Sequence, residues 1–206
     1  MALITSLAVE SLAIRRGERA LFGELSFTVG AGEVVALTGA NGAGKTSLLR
    51  AVAGFIAPSA GGVRFDGAGG QVDADEARRD HCHLIGHQDG LAGARTVRDE
   101  INFAVRWTGG DEEGALAAAD RLGLTRMLNL AARQLSAGQR RRLALVRLIA
   151  VARTVWLLDE PLTPLDGEGR ALVANVMSGH LAGGGIILVA VHDPLPMTAR
   201  CVAVGP

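Results

Sequence analysis

The sequence predicts an α/β chain in which a parallel or mixed core sheet is joined to an antiparallel β portion and interrupted by a helical insert. Three observations carry that expectation. Residues 3–14 and 25–29 alternate apolar and polar positions, as half-buried antiparallel strands do. Short, mainly apolar runs at 33–38, 83–86, 154–158 and 186–191 alternate with helical stretches, the signature of a sheet covered by helices. Between residue 96 and about 132 the apolar spacing changes to three and four residues, a block of helix.

Taken in order, the strand at 33–38 runs into a glycine-rich turn at 39–46 and then a helix through residue 53. Residues 61–67 read as a further strand, and 68–80, glycine-rich and then charged, as a surface excursion. A short strand at 83–86 ends at His87 and Gln88. The helical block closes at 135–139, where a strong helix begins that continues to residue 152. Strand 154–158, helix 169–181, strand 186–191 and a short apolar tail complete the chain. The expected organisation is one domain over 1–206, with a helical subdomain at about 89–152 inserted in its core.

With 206 residues, the chain is long enough for one good-sized core. It has 21 basic and 21 acidic residues, a zero net charge that argues against nucleic acid as the main partner. Its two cysteines, Cys82 and Cys201, stand far apart, as expected in a reducing compartment rather than a disulfide framework. The N-terminal segment reads as a strand rather than a signal peptide, and no apolar run is long enough to cross a bilayer. No regulatory domain is expected after His192. The 20 arginines against a single lysine, Lys45, single out that position, because a compact ammonium differs from a planar guanidinium in what it can bind.

Residues 39–46 read GANGAGKT, which matches GxxxxGK[ST] between a buried strand and a helix. In that context the backbone N–H groups of Gly39, Ala40, Asn41, Gly42, Ala43 and Gly44 close around phosphates. The helix N-terminus adds positive potential, and Lys45 reaches the β and γ phosphates. Thr46 offers its hydroxyl to Mg²⁺, with Ser47 beside it. The run VWLLDE at 155–160 delivers two carboxylates at a strand end, Asp159 for the magnesium shell and Glu160 to polarise an attacking water. Leu135 to Gln139 reads LSAGQ and opens a helix at Ser136 and Gly138. Its free N–H groups form a second anion site, which in a chain with one phosphate loop addresses another subunit's nucleotide. His192 and Gln88 each close a strand, within reach of a γ-phosphate and of Mg²⁺ or water respectively.

These pieces in this order resemble the ABC-transporter ATPase family over nearly the whole chain. By that resemblance 39–46 matches the Walker A loop, Gln88 the Q-loop and 135–139 the signature. Asp159 and Glu160 match Walker B with its catalytic glutamate, Asp166 lies in the D-loop, and His192 is the switch histidine. The resemblance implies ATP and Mg²⁺ as cofactors and a sandwich of two copies, in which Ser136, Gly138 and Gln139 of one complete the site of the other. It also implies a separate membrane permease. Two departures stand out. Ala137 replaces the signature's first glycine, and the adenine-stacking aromatic is absent: Arg16 occupies that region in a chain without tyrosine. A guanidinium plane can stack on a base, so GTP is expected to compete with ATP.

Within the family, the chain is most similar to the cytochrome c maturation branch, described as haem exporter ATPases. The similarity rests on Leu21, Phe22 and residues 25–27, GHQDGL at 86–91, SAGQRRRLAL at 136–145, WLLDEPLT at 156–163, and HLAGG at 180–184. It implies a CcmB-like permease, haem-handling maturation proteins, and a peripheral location on the cytoplasmic face of a bacterial inner membrane. The alternative within transport is the ATPase of a small exporter with another substrate. A DNA-repair or ribosomal machine would carry tandem cassettes or basic surfaces, and a binding-only module has no need of Glu160.

Three further groups are weighed. His81 and His83 on a strand share a face with Cys82 opposite, a structural arrangement rather than a metal or haem pocket. Arg140, Arg141 and Arg142 read as a solvated first helical turn. Segment 89–107, with Leu91, Phe103 and Trp107, is the expected partner-docking surface.

Overall fold

A computed structural model describes residues 4–205. Strands β1 (Ile4–Arg16) and β2 (Arg19–Gly30) form an antiparallel hairpin whose register ends on Arg16 opposite Arg19. Strand β3 (Val34–Thr38) is followed by helix α1 (Lys45–Val52), and then come β4 (Ala60–Gly67) and β5 (Gly70–Val72). Helix α2 (Ala74–His81) runs directly into β6 (Cys82–Ile85). Next come α3 (Val97–Thr108), α4 (Glu112–Arg121) and α5 (Ala137–Ala150). Strand β7 (Val155–Asp159), helix α6 (Gly167–Ala182), β8 (Ile186–Ala190) and β9 (Arg200–Ala203) complete the order.

The strands make two sheets. A four-stranded sheet has the order β2-β1-β4-β5, and a five-stranded sheet the order β6-β7-β8-β3-β9. Every pairing in the first is antiparallel and every pairing in the second parallel. All five residues of β7 and of β8 are buried, which is why these strands read as unbroken apolar runs. By contrast β1 and β2 alternate, with register shifts near Val9 and Leu12 that spoil strict periodicity.

The chain divides into two compact units. Among the described residues the first comprises 4–86, 153–160 and 178–205, and the second 87–152 together with 161–177. In the first, Leu7, Leu12, Phe65, Leu37, Leu48, Leu157 and Leu188 share one continuous core. In the second, α5 packs against both α3 and α4. Its interior includes Val97, Ile101, Val105, Ala118 and Leu122.

Three expectations are corrected and one is refined. Segment 68–80 does lie at the surface, with only Ala77 buried, but it is regular structure: it holds β5 and most of α2, whose start is capped by the Asp73 carboxylate accepting from the N–H groups of Asp75 and Glu76. Two buried residues, Ala77 and His81, seat that otherwise mostly charged helix. His81 ends α2 instead of sharing a strand face with His83, and both imidazoles are buried. Arg141 is not solvated: only 2% of it is exposed. Segment 89–107 divides, with Phe103 and Trp107 exposed and Leu91 half-buried.

Candidate nucleotide site

The site begins where β3 ends. Gly39, Gly42 and Gly44 all have positive φ, at 138°, 78° and 109°, so the loop turns through conformations that side chains resist. Space is as restrictive as angle. A Cβ on Gly39 would collide with the Val204 carbonyl, and one on Gly44 would stand 2.9 Å from the Phe22 ring. Phe22 is buried beneath the loop, so the β1–β2 hairpin supports it. Gly44 immediately precedes α1, whose first amides have no intrahelical partner. Such a loop-to-helix start suits an anion. Lys45 is 7% exposed, and its ammonium donates to the carbonyls of Gly39 at 2.6 Å and Ala40 at 3.3 Å. The lysine therefore lies folded over the loop.

Opposite the loop, β7 delivers Asp159. The Thr46 hydroxyl donates to its carboxylate, 2.9 Å from Oδ2 and 3.2 Å from Oδ1. A hydroxyl and a carboxylate so placed are hard oxygen donors of the kind Mg²⁺ takes, so the residues present fit that ion. Among the described residues no cluster of three or more His, Cys, Asp or Glu side chains suggests a protein-only metal centre.

One residue further on, Glu160 adopts φ 50°, a left-handed conformation unusual for a non-glycine residue. Its N–H donates to the Ala190 carbonyl at 3.0 Å, fixing the strained peptide to the end of β8. The turn brings its Oε1 within 2.8 Å of His192 Nε2. A carboxylate only accepts, so this contact places the His192 proton on Nε2. Strain held by neighbouring structure is a common mark of functional positions.

The structure thus brings Lys45, Thr46, Asp159, Glu160 and His192 together in the first unit. Asn41 is exposed, while Ala43 and Ser47 are half-buried along the loop and helix. Arg16 is exposed in the hairpin turn, while neighbouring Arg15 is held by the Glu18 carbonyl at 2.7 Å.

The remaining candidates belong to the second unit. Gln88 is exposed in the segment after β6. Ser136 caps α5: its hydroxyl accepts from Gln139 N–H at 3.2 Å, while Gln139 Oε1 accepts from Ser136 N–H at 2.8 Å. Ser136 and Ala137 are exposed at the helix start. Gly138 has a second reason to be glycine, since a Cβ there would press on the Pro164 carbonyl at 3.0 Å. Asp166 accepts from Gly169 N–H at 2.8 Å and so caps α6.

Two buried charged contacts escaped the sequence reading. Buried Glu100 accepts from Ala92 N–H at 2.8 Å and orders the segment leading to α3. Its position in the spacing Val97, Glu100, Ile101, Val105 was the available signal. Buried Arg141 pairs with Asp89, 52 positions away, for which a local pattern gives no signal. Burial pushes the Cys82 thiol up to about 12, which disfavours the thiolate that a ligand or nucleophile requires.

Comparison with known proteins agrees with this geometry. The ABC transporter family model matches residues 22–163. The cytochrome c biogenesis ATP-binding export protein CcmA of Rhodopseudomonas palustris (strain BisB5) is 45% identical, over 92% of this chain and 93% of its own. The protein of that name from Nitrobacter winogradskyi is 46% identical with the same coverage. That from Hyphomonas neptunium is 43% identical over 94% of both chains. Among solved structures, a putative ABC transporter ATP-binding protein from Pyrococcus furiosus superposes with a TM-score of 0.83 over 97% of this chain and 98% of its own. Its identity is 19%, which speaks to fold alone.

Proposed function

Since this chain belongs to the ABC-transporter ATP-binding family, in the branch of the cytochrome c biogenesis ATP-binding export proteins, we propose that it hydrolyses MgATP to energise a membrane permease in c-type cytochrome maturation. The observation that carries the catalytic part is the convergence of the phosphate loop, Asp159 and the Glu160–His192 pair at the carboxyl ends of β3, β7 and β8.

Phosphoryl transfer is chiefly positioning and charge stabilisation. The loop amides and Lys45 hold the phosphates. Thr46 and Asp159, with Gln88 by family resemblance, would hold Mg²⁺, which when bound neutralises charge on the β and γ phosphate oxygens. Glu160, held by the Nε2–H of His192, accepts a proton from the attacking water, and by family resemblance His192 reaches the γ-phosphate once nucleotide is bound. Arg16 lies against the base. Ser136 and Gly138 of a second copy, with Gln139 and Asp166 supporting their segments, complete the opposite face of the nucleotide.

The proposed permease surface is α3. Phe103 is 51% and Trp107 83% exposed, and the two rings stack at 6.4 Å. The Arg95 guanidinium covers the Phe103 ring at 4.4 Å. With Asp99, Asn102 and Arg106 they line an open groove of about 700 Å³. An aromatic floor with arginines suits an amphipathic segment carrying acidic residues, and that is the segment this reading expects of the permease. Among the described residues no helix is long and apolar enough to cross a membrane. A peripheral position on the cytoplasmic face is the location this reading requires, and haem or a haem-loaded carrier is the species moved or released.

The direct test is MgATP turnover by wild type and Glu160→Gln. Hydrolysis that the substitution abolishes, with ATP binding retained, supports the reading; equal rates refute it.

A further inference from the structure

Three consecutive arginines open the second turn of α5, and each holds a different backbone carbonyl. Arg140 donates to Leu135 at 2.7 Å, Arg142 to Leu122 at 2.9 Å, and Arg141 to Pro161 at 3.4 Å. Arg141 differs from the other two in depth and partners. Its side chain is 2% exposed, and its Nη1 also donates to Asp89 Oδ1 at 3.1 Å.

The positions of those partners in the chain give the contact its meaning. The chain passes from the first unit to the second between Gly86 and His87, and again between Glu160 and Pro161. Asp89 is the neighbour of Gln88 just after the first crossing. Pro161 is the neighbour of Glu160 at the second. One guanidinium on the signature helix is therefore bonded to both segments that lead from catalytic motifs into the helical unit.

A buried ion pair is weak as a source of stability, because desolvation offsets most of its attraction. A rigid guanidinium fork is strong as a geometric device, since its donors point in fixed directions. Lysine retains the charge but not the two-way fork. Resting on the ATPase reading above, we propose that Arg141 is a positioning residue for hydrolysis. It fixes the signature helix to the chain flanking Gln88 and Glu160, so that closure of the nucleotide site by a second copy sets both residues at once. Arg141 itself touches no reacting atom.

The test compares wild type, Arg141→Lys, Asp89→Ala and their combination as full-length chains, measuring melting temperature and MgATP steady-state kinetics. Arg141→Lys should melt within a few degrees of wild type and keep KM for ATP within twofold. Its kcat should fall about tenfold, the scale of a small misplacement of catalytic groups. The Asp89→Ala effect should be of the same kind and should not add to it, because both remove one link. A folded Arg141→Lys with kcat within twofold of wild type overturns the proposal, as do fully additive effects on kcat. If Arg141→Lys fails to fold, Asp89→Ala, whose carboxylate is at the margin of the core, decides by the same criterion. Glu160→Gln in the same assay reports on the parent reading separately.

Discussion

His192 Nε2 and Glu160 Oε1 are 2.8 Å apart, although they leave the sheet on different strands and lie 32 positions apart. The pairing depends on the left-handed turn at Glu160 and its amide bond to Ala190, which aim the carboxylate across the ends of β7 and β8. The base is thereby oriented before substrate arrives, and the histidine proton is committed to Nε2. Glu160→Gln should retain ATP binding and lower kcat by about 10²- to 10⁴-fold, the range of general-base catalysis. It should also accumulate an ATP-dependent dimer. Phosphate release and size-exclusion chromatography with ATP check both; a monomer with wild-type turnover contradicts them.

Base recognition should be permissive. Arg16 is exposed in the hairpin turn where the family places an aromatic ring, and a guanidinium plane stacks on any purine. GTP should compete with ATP within about 100-fold, which is about 2.8 kcal/mol at 1.4 per decade. Competition binding measures it, and a larger preference for ATP removes Arg16 from the site.

Phe103→Ala combined with Trp107→Ala should abolish recruitment to membranes containing the permease. ATP binding should remain unchanged, because both rings lie on α3 in the second unit and the phosphate loop lies in the first. Membrane flotation with and without the permease reads the first effect, and nucleotide titration the second. Normal recruitment assigns the groove another role.

Stability should fall as pH drops below about 6.5. His180 stacks on Trp156 at 3.7 Å, and its Nε2 lies 3.0 Å from the Thr154 carbonyl. Burial holds its pKa below the ordinary 6.5, outweighing the opposing backbone hydrogen bonds. Because the folded value is depressed, the unfolded chain takes up the proton first. The stabilisation is present above the unfolded pKa and is lost as pH falls through the folded one. Melting temperature measured from pH 8 to pH 5 should show this decline, and His180→Gln should flatten it. An equal slope in the variant assigns the decline to other groups.

Much of the site was legible because its chemistry is local. The run 39–46 couples a strand, a turn and a helix start in eight consecutive residues, and 155–160 writes a buried strand and its carboxylates together. The two sheets followed from the contrast between alternating and unbroken apolar runs. Helix α2 was hidden because its eight residues are mostly charged, and only Ala77 and His81 are buried. Arg141 was hidden for a related reason: an arginine among arginines at a helix start reads as solvated unless its distant partner is known. The Glu160–His192 distance depends on a backbone angle and a bond to Ala190, neither of which is written in a residue type.

The central claim is that ATP hydrolysis by this chain serves c-type cytochrome maturation. It is tested most directly by haem staining of membranes from a deletion strain complemented with wild type or Glu160→Gln. Wild type alone should restore covalently bound c-type haem proteins, with b-type cytochromes unchanged in both strains. Normal c-type cytochromes without the protein, or full restoration by Glu160→Gln, would contradict it.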